Sequence, residues 1–456
     1  MATEQATTGD VTAEHVAGTA TRDETVAGAS AARAAQGTAL TATPQASAHV
    51  SVALLGAAGF IVTADARIVN PLLPIIAHQF NTSVGNAGNV VTAYAIPYGL
   101  FQLVYGPLGD RIGKAPVMVF AIGLFAFGTA ACALSPNLLM LEALRFITGA
   151  VAAALIPLSL AYIGDHIPYA RRQVAISQYL TAIALGTILS TSIGGVVADY
   201  LSWRYIFLVY GVVSIVVFGL FLRAWRRTPE ARPARRAATS AWSGLGEAVR
   251  TYRHALSGRA TRLVMIAVFV EGLFFFGGFA YTGAFLRERY GLLYVVIGVI
   301  LAGFGIGSLI YSSIARWTLR TLRENGQILA GGFISGGAYI AIALIPSWPL
   351  FVGLNILLGL GYYLIHSTFQ TKATELAPDA RGSVLSFFAF SLFLGQGIGA
   401  WLLGLTVNQW GYPITFIIAG VPMALLGVWF TLSVRGQPPT PGAAKGDAQQ
   451  PLLIME

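Results

Sequence analysis

Gly106-Pro107-Leu108-Gly109-Asp110-Arg111-Ile112-Gly113-Lys114 is a small charged knot between two long apolar runs. Asn89 to Tyr105 lie upstream and Ala115 to Leu134 downstream, and both runs read as membrane-spanning helices. Two spans joined so tightly must form a hairpin. Gly106 and Gly109 are placed to let helix ends approach closely, and Gly113 is free to take a positive φ in the turn. Asp110, Arg111 and Lys114 cannot sit in hydrocarbon, so the knot lies at a membrane surface. Its two bases favour the cytoplasmic one.

Composition extends this reading to the whole chain. Of 456 residues, 55% are hydrophobic and 10% charged, and the mean hydropathy is +0.69. A soluble domain carries about 25% charged residues, so the chain reads as an integral membrane protein. The net charge of +9 does not point to nucleic acid, because Lys and Arg collect in the connections between apolar runs. The single cysteine, Cys132, lies inside an apolar run, so no intrachain disulfide can form and redox chemistry is not expected. No G-x-x-x-x-G-K-[ST] loop is present, which argues against an ATP-driven pump within this chain. Neither metal-ligand spacing nor a nucleophile–base pair stands out. The chain reads as a non-enzyme, with no cofactor and no metal.

Residues 1–49 are rich in Ala, Thr and Gly with scattered acids and no apolar run, and read as a disordered cytoplasmic tail. From Val50 twelve apolar runs follow: 50–78, 86–108, 115–134, 137–163, 174–198, 205–225, 261–285, 293–315, 327–346, 349–371, 383–407 and 413–434. The fold class expected is therefore an all-α membrane protein of twelve transmembrane helices. Six form an N-terminal bundle over 50–225 and six a C-terminal bundle over 261–435. A basic linker at 226–260 joins them, and 436–456 is a second tail.

Charge tests the parse. With both termini inside, the cytoplasmic connections carry Arg111 and Lys114, then Arg171 and Arg172, then ten arginines from Arg223 to Arg262. Arg316, Arg320 and Arg323 follow, then Lys372 and Arg381. Only Arg204, Arg287 and Arg289 fall on the other side. The bias sets both termini in the cytoplasm. An internal echo accompanies it. Pro168-Tyr169-Ala170-Arg171 and Pro378-Asp379-Ala380-Arg381 stand at the same offset, 210, that relates Gly194 to Gly404. Duplication and chance matching of small residues both remain open as its cause.

A few charges fall well inside predicted spans: Asp65 and Arg67 in the first, Arg145 in the fourth and Glu271 in the seventh. A charge at a helix centre costs about 2.5–3.5 kcal/mol on insertion scales, so each is a candidate for proton coupling or substrate binding. Desolvation disfavours a charged carboxylate, which suits Asp65 to proton exchange. Arg67 is two residues from Asp65 and points away from it, so Arg145 is the better partner. Two readings stand for these charges: function, or ion pairs that pin helices, with Glu142 as a further local partner for Arg145. Glu271 precedes Phe274, Phe275, Phe276, Phe279 and Tyr281. An acid beside aromatic faces suits a lipophilic cation, although most of those rings must serve packing. Tyr98, Phe275, Phe279, Tyr363, His366 and Gln396 are further candidates to line a cavity.

The knot, as G-x-x-x-D-R-x-G-K, resembles the loop between helices 2 and 3 of the major facilitator superfamily. Asp65-Ala66-Arg67-Ile68-Val69-Asn70-Pro71-Leu72-Leu73-Pro74 resembles the D-x-T-I-V-N-x-A-L-P segment of its drug–proton antiporters, with Arg67 where Thr often stands. Arg145-Phe146-Ile147-Thr148-Gly149 matches R-x-x-x-G of the fourth helix, and Trp203-Arg204-Tyr205-Ile206-Phe207 matches the W-R-x-x-F entry to the sixth. Ser190-Thr191-Ser192-Ile193-Gly194-Gly195 keeps the closing glycines of the fifth-helix signature but lacks its Gly-Pro. The resemblance covers nearly all of 50–434. It implies a proton-coupled secondary transporter of the cell membrane, exporting small amphipathic or cationic organic compounds by alternating access. Its partners would be the substrate, protons and lipid, with no nucleic acid, and a monomer is expected. It also implies gating by Gly106, Gly109, Asp110, Arg111, Gly113 and Lys114, with Arg171 and Arg381 on the same side. In the family that acid helps close the cytoplasmic side, here facing the start of the eleventh helix. The altered fifth span also permits a metabolite importer or uniporter, and a receptor or scaffold on the same fold is a third reading.

Overall fold

A run of apolar residues in lipid must satisfy its own backbone, and an α-helix does this within one segment. The computed structural model describes residues 50–227, 256–376 and 381–434, with Arg250 and Arg253. The expected tails, both termini and most of the linker at 226–260 lie outside the described residues.

The described residues are helical almost throughout. Helix α1 is Val52–Gln79, α2 Asn89–Ile112, α3 Lys114–Cys132, α4 Leu138–His166, α5 Tyr169–Tyr200, α6 Trp203–Arg227 and α7 Arg259–Tyr290. Tyr294–Leu344 is broken at Arg323, with φ 53°, into α8 and α9. Leu350–Leu376 is α10, and Arg381–Val434 is broken at Gly411, with φ 76°, into α11 and α12. Nine of the helices among the described residues are long and apolar enough to cross a membrane, two of them being the broken pairs. Helix α2, with Pro97, Gln102 and Pro107 in its length, is not one of the nine.

Local chemistry sets the ends and bends. Ser51 caps α1 by accepting from the Leu54 N–H at 3.2 Å, and Asn137 caps α4 through the Met140 N–H at 2.8 Å. Pro71 cannot donate to the helical ladder, and α1 tightens there into a 3₁₀ turn over Asn70–Leu72. A π turn over Gly272–Phe276 interrupts α7 directly after Glu271. Gly113 takes φ 103° between α2 and α3, the positive value expected of it.

The two sets of six helices pack by the same rule. In the first, α1 lies on α5, α2 on α4 and α3 on α6; in the second, α7 lies on α11, α8 on α10 and α9 on α12. The sets meet where α2 crosses α11, α5 crosses α8 and α7 meets the 3₁₀ turn of α1. Near Asp199 that seam is backbone on backbone. A Cβ at Gly195 would overlap the carbonyl oxygen of Tyr294, and one at Gly298 that of Thr191. Asn408 adds hydrogen bonds to Gly85 N, at 3.2 Å, and to Asn86 Oδ1, at 3.3 Å.

Gly106 was expected to sit against a neighbouring helix, yet nothing lies within 4 Å of a Cβ built on it. Gly109 does make a close approach, against Leu158 of α4 rather than against α3.

Candidate functional site

Helix α1 carries two charges to two different places. Successive residues on a helix turn by about 100°, so Asp65 and Arg67 lie on nearly opposite faces. Asp65 faces into the first half and is fully buried. Its Oδ2 accepts from an Arg145 guanidinium nitrogen at 2.6 Å, and its backbone oxygen accepts from a second at 3.3 Å. Arg145 is itself 1% exposed and lies over the Tyr94 ring, 4.1 Å from its centroid. The ion pair is therefore clamped between an acid and an aromatic face. The alternative pairing of Arg145 with Glu142 does not form, because Arg145 turns inward to α1 while Glu142 stays partly exposed. Oδ1 of Asp65, Nε of Arg145 and the Tyr94 hydroxyl remain without hydrogen-bond partners.

The second half builds a matching pair from different parts. Glu271, fully buried at the start of the π turn, brings Oε2 to within 3.3 Å of His366 Nδ1 on α10. The His366 ring stacks on Tyr362 at 4.8 Å and lies 5.2 Å from Phe388. Oε1 of Glu271 has no partner, and neither does Oε1 of buried Gln396, whose backbone nitrogen lies beside Gly272. The sequence marked His366 only as a cavity candidate. Its pairing with Glu271 could have been sought from one signal, a second ionisable group inside an apolar span.

Arg67 stands between these pairs. Its guanidinium lies 4.1 Å from the centroid of Phe276, on the other half. Tyr94, Tyr98, Tyr362 and Tyr363 are its electrostatic neighbours. Tyr98 stacks near Tyr94 at 5.8 Å and meets Phe393 of α11 at 4.2 Å. Phe275 and Phe279 are instead packed inside the second half, against Phe304, with Phe275 also touching Tyr339 and Tyr362. Tyr363 is half-buried beside Phe304 and Tyr311.

The gating candidates lie apart from these charges. Asp110 is 72% exposed, with Lys114 3.8 Å away one turn on. Lys114 also pairs with Asp165 at the end of α4, which fastens the α2–α3 turn to its own half. Arg171 is exposed in the first turn of α5, and Arg381 opens α11. At the other end Asp199, which no sequence pattern had singled out, accepts the backbone N–H of Val295. A signal existed: the start of α8 offers no Ser, Thr, Asp or Asn of its own as a cap.

The arrangement is two six-helix sets sharing one seam, with a buried acid–base pair in each set. The model for the Major Facilitator Superfamily matches residues 55–395 and 328–455. The MFS-type transporter YceJ of Bacillus subtilis (strain 168) is 26% identical over 349 residues, covering 76% of this chain and 86% of that protein. The multidrug export protein EmrB of Escherichia coli (strain K12) is 29% identical over 172 residues, only 38% of this chain and 34% of EmrB. A crystal structure of the nucleoside transporter NupG superposes with a TM-score of 0.67 at 12% identity, over 85% of this chain and 99% of that one, a likeness of fold alone. The chain belongs to the Major Facilitator Superfamily and is a multi-pass membrane transporter.

Proposed function

We propose that the protein is a proton-coupled exporter of small amphipathic organic compounds, working by alternating access between its two halves. The observation that carries the proposal is the pair of buried acids, each held by a single basic group: Asp65 by Arg145 and Glu271 by His366. A carboxylate that gains a proton gives up its claim on its partner, so protonation frees a base that the ionised form restrains. Two such pairs in two halves allow proton uptake to change what each half presents to the seam. The partial likeness to EmrB supports the direction and the substrate class, and the backbone contact at the Asp199 end, with Asp110 exposed at the other, supports rocking about the Asp199 end.

The test is transport in proteoliposomes under an imposed pH gradient, with a panel of amphipathic dyes. Gradient-driven accumulation should fall to background in Asp65→Asn and Glu271→Gln, while counterflow without a gradient persists in at least one of them. If both variants keep gradient-driven transport, the coupling assignment is wrong. Dye movement with the proton flux rather than against it would replace export by import.

A further inference from the structure

Each buried acid has a basic partner, and one half-buried cation is left over. Among the described residues Arg67 makes no ion pair and no hydrogen bond. The groups acting on it most strongly are Tyr362, Tyr363, Tyr94 and Tyr98. A guanidinium withdrawn from bulk water without a counter-charge is costly, and the Phe276 face offsets only about 0.5–2 kcal/mol of that cost. Arg67 also reaches across the seam. It projects from the first half onto a ring of the second, and part of its surface stays accessible.

We infer that Arg67 is the anchor for the carboxylate of an amphipathic organic anion, whose apolar body lies along Phe276, Tyr98 and Tyr363. A carboxylate matches the guanidinium fork with two parallel N–H···O bonds, and the water-poor aromatic surround strengthens both. The same surround accepts an aryl or alkyl body without demanding a particular shape. An amine would compete with groups already in place, Oε1 of Glu271 aside. The ring face nearest the seam is already covered by a cation, and Glu271 is engaged by His366. The assignment rests on the transporter reading above and narrows its substrate class from amphipathic compounds in general to acids.

Equilibrium binding to the purified full-length protein in detergent tests it, without any gradient. Two matched sets serve as probes: 2-naphthoate with 2-naphthamide and 2-naphthylmethylamine, and octanoate with octanamide and octylamine. At pH 7.5 the acid of at least one set should bind at least tenfold more tightly than its amide and amine. Arg67→Gln should erase that preference, and Arg67→Lys should keep part of it. Phe276→Leu should weaken acid and amide alike. Unliganded melting temperatures identify any variant that fails to fold, and the wild-type ranking decides the question on its own. Amines binding as well as acids, no acid binding in either set, or an unchanged preference in folded Arg67→Gln would overturn the anchor. Such a result leaves gradient-driven transport untouched, whereas loss of coupling with the acid preference intact would sink the coupling reading alone.

Discussion

The carboxylate of Asp199 accepts the backbone N–H of Val295 at 2.7 Å, joining the last turn of α5 to the first turn of α8 across the seam. The first N–H groups of a helix have no partner within it, and they carry the positive end of its dipole. Asp199 thus supplies from one half the cap that the other half lacks. Asp110 is expected to serve the start of α11 in the same manner at the opposite end, yet here it is exposed. The two acids stand at opposite ends of the seam.

The first prediction follows from that opposition. Asp199→Asn keeps an acceptor but removes the charge, which is worth about 0.3–1 kcal/mol at a helix start. Opening at the Asp199 end should rise about two- to fivefold, and further in Asp199→Ala. Asp110→Asn should move the balance the other way, and the double variant should return toward wild type. Labelling rates of single cysteines placed near each end measure this. Shifts of the same sign in both single variants would disprove the antagonism.

Steric wedges should push in the same direction as Asp199→Asn. A methyl group at Gly298 meets the Thr191 carbonyl, and one at Gly195 meets the Tyr294 carbonyl. Backbone cannot yield as a side chain does, so Gly298→Ala and Gly195→Ala should separate the halves at that end and slow net transport. Spin-label distances across α5 and α8 should lengthen. Gly106→Ala, with open space around it, should leave those distances unchanged.

The Asp65–Arg145 pair predicts an asymmetry in stability. Removing Arg145 strands a buried carboxylate, and breaking such a pair costs about 3–5 kcal/mol. Arg145→Ala should lower the melting temperature sharply. Asp65→Asn should lower it less, because the Asp65 backbone oxygen and the Tyr94 ring still hold the guanidinium. Replacing both with apolar residues should recover much of the stability and none of the coupling. Thermal unfolding in one detergent, variant against variant, checks the ranking.

Much of this architecture was legible in residue spacing, and the part that was not has a physical reason. Apolar runs, turn residues and basic loops identify helices, because the bilayer rewards little else. Asp65, Arg67, Arg145 and Glu271 announced themselves by being charged where charge is expensive. Helix phase alone separated Asp65 from Arg67, since residues two apart diverge. Partner choice was another matter. Asp65 and Arg145 are 80 positions apart and Glu271 and His366 are 95, and only packing decides which distant helix face meets which. Asp199 was hidden for a different reason: an acid at the end of a span looks like any loop acid until the uncapped helix it serves is beside it. The π turn after Glu271 has no sequence mark beyond an ordinary glycine and three phenylalanines.

The glycine seam between α5 and α8 also bears on speed. Where two backbones meet directly, at Gly195 and Gly298, no rotamer is frozen between them, although Ile188 of α5 seats on Gly305 of α8 further along. Parting α5 from α8 there forfeits shallow dispersion contacts and the Asp199 bond, while α11 also gives up the bonds of Asn408 and Thr92. Around Gly195 and Gly298 the backbones can part and meet again without a side chain having to find a slot between them. On the proposed cycle this stretch serves as a bearing rather than a latch, and leaves the pace to the charges buried deeper in the protein.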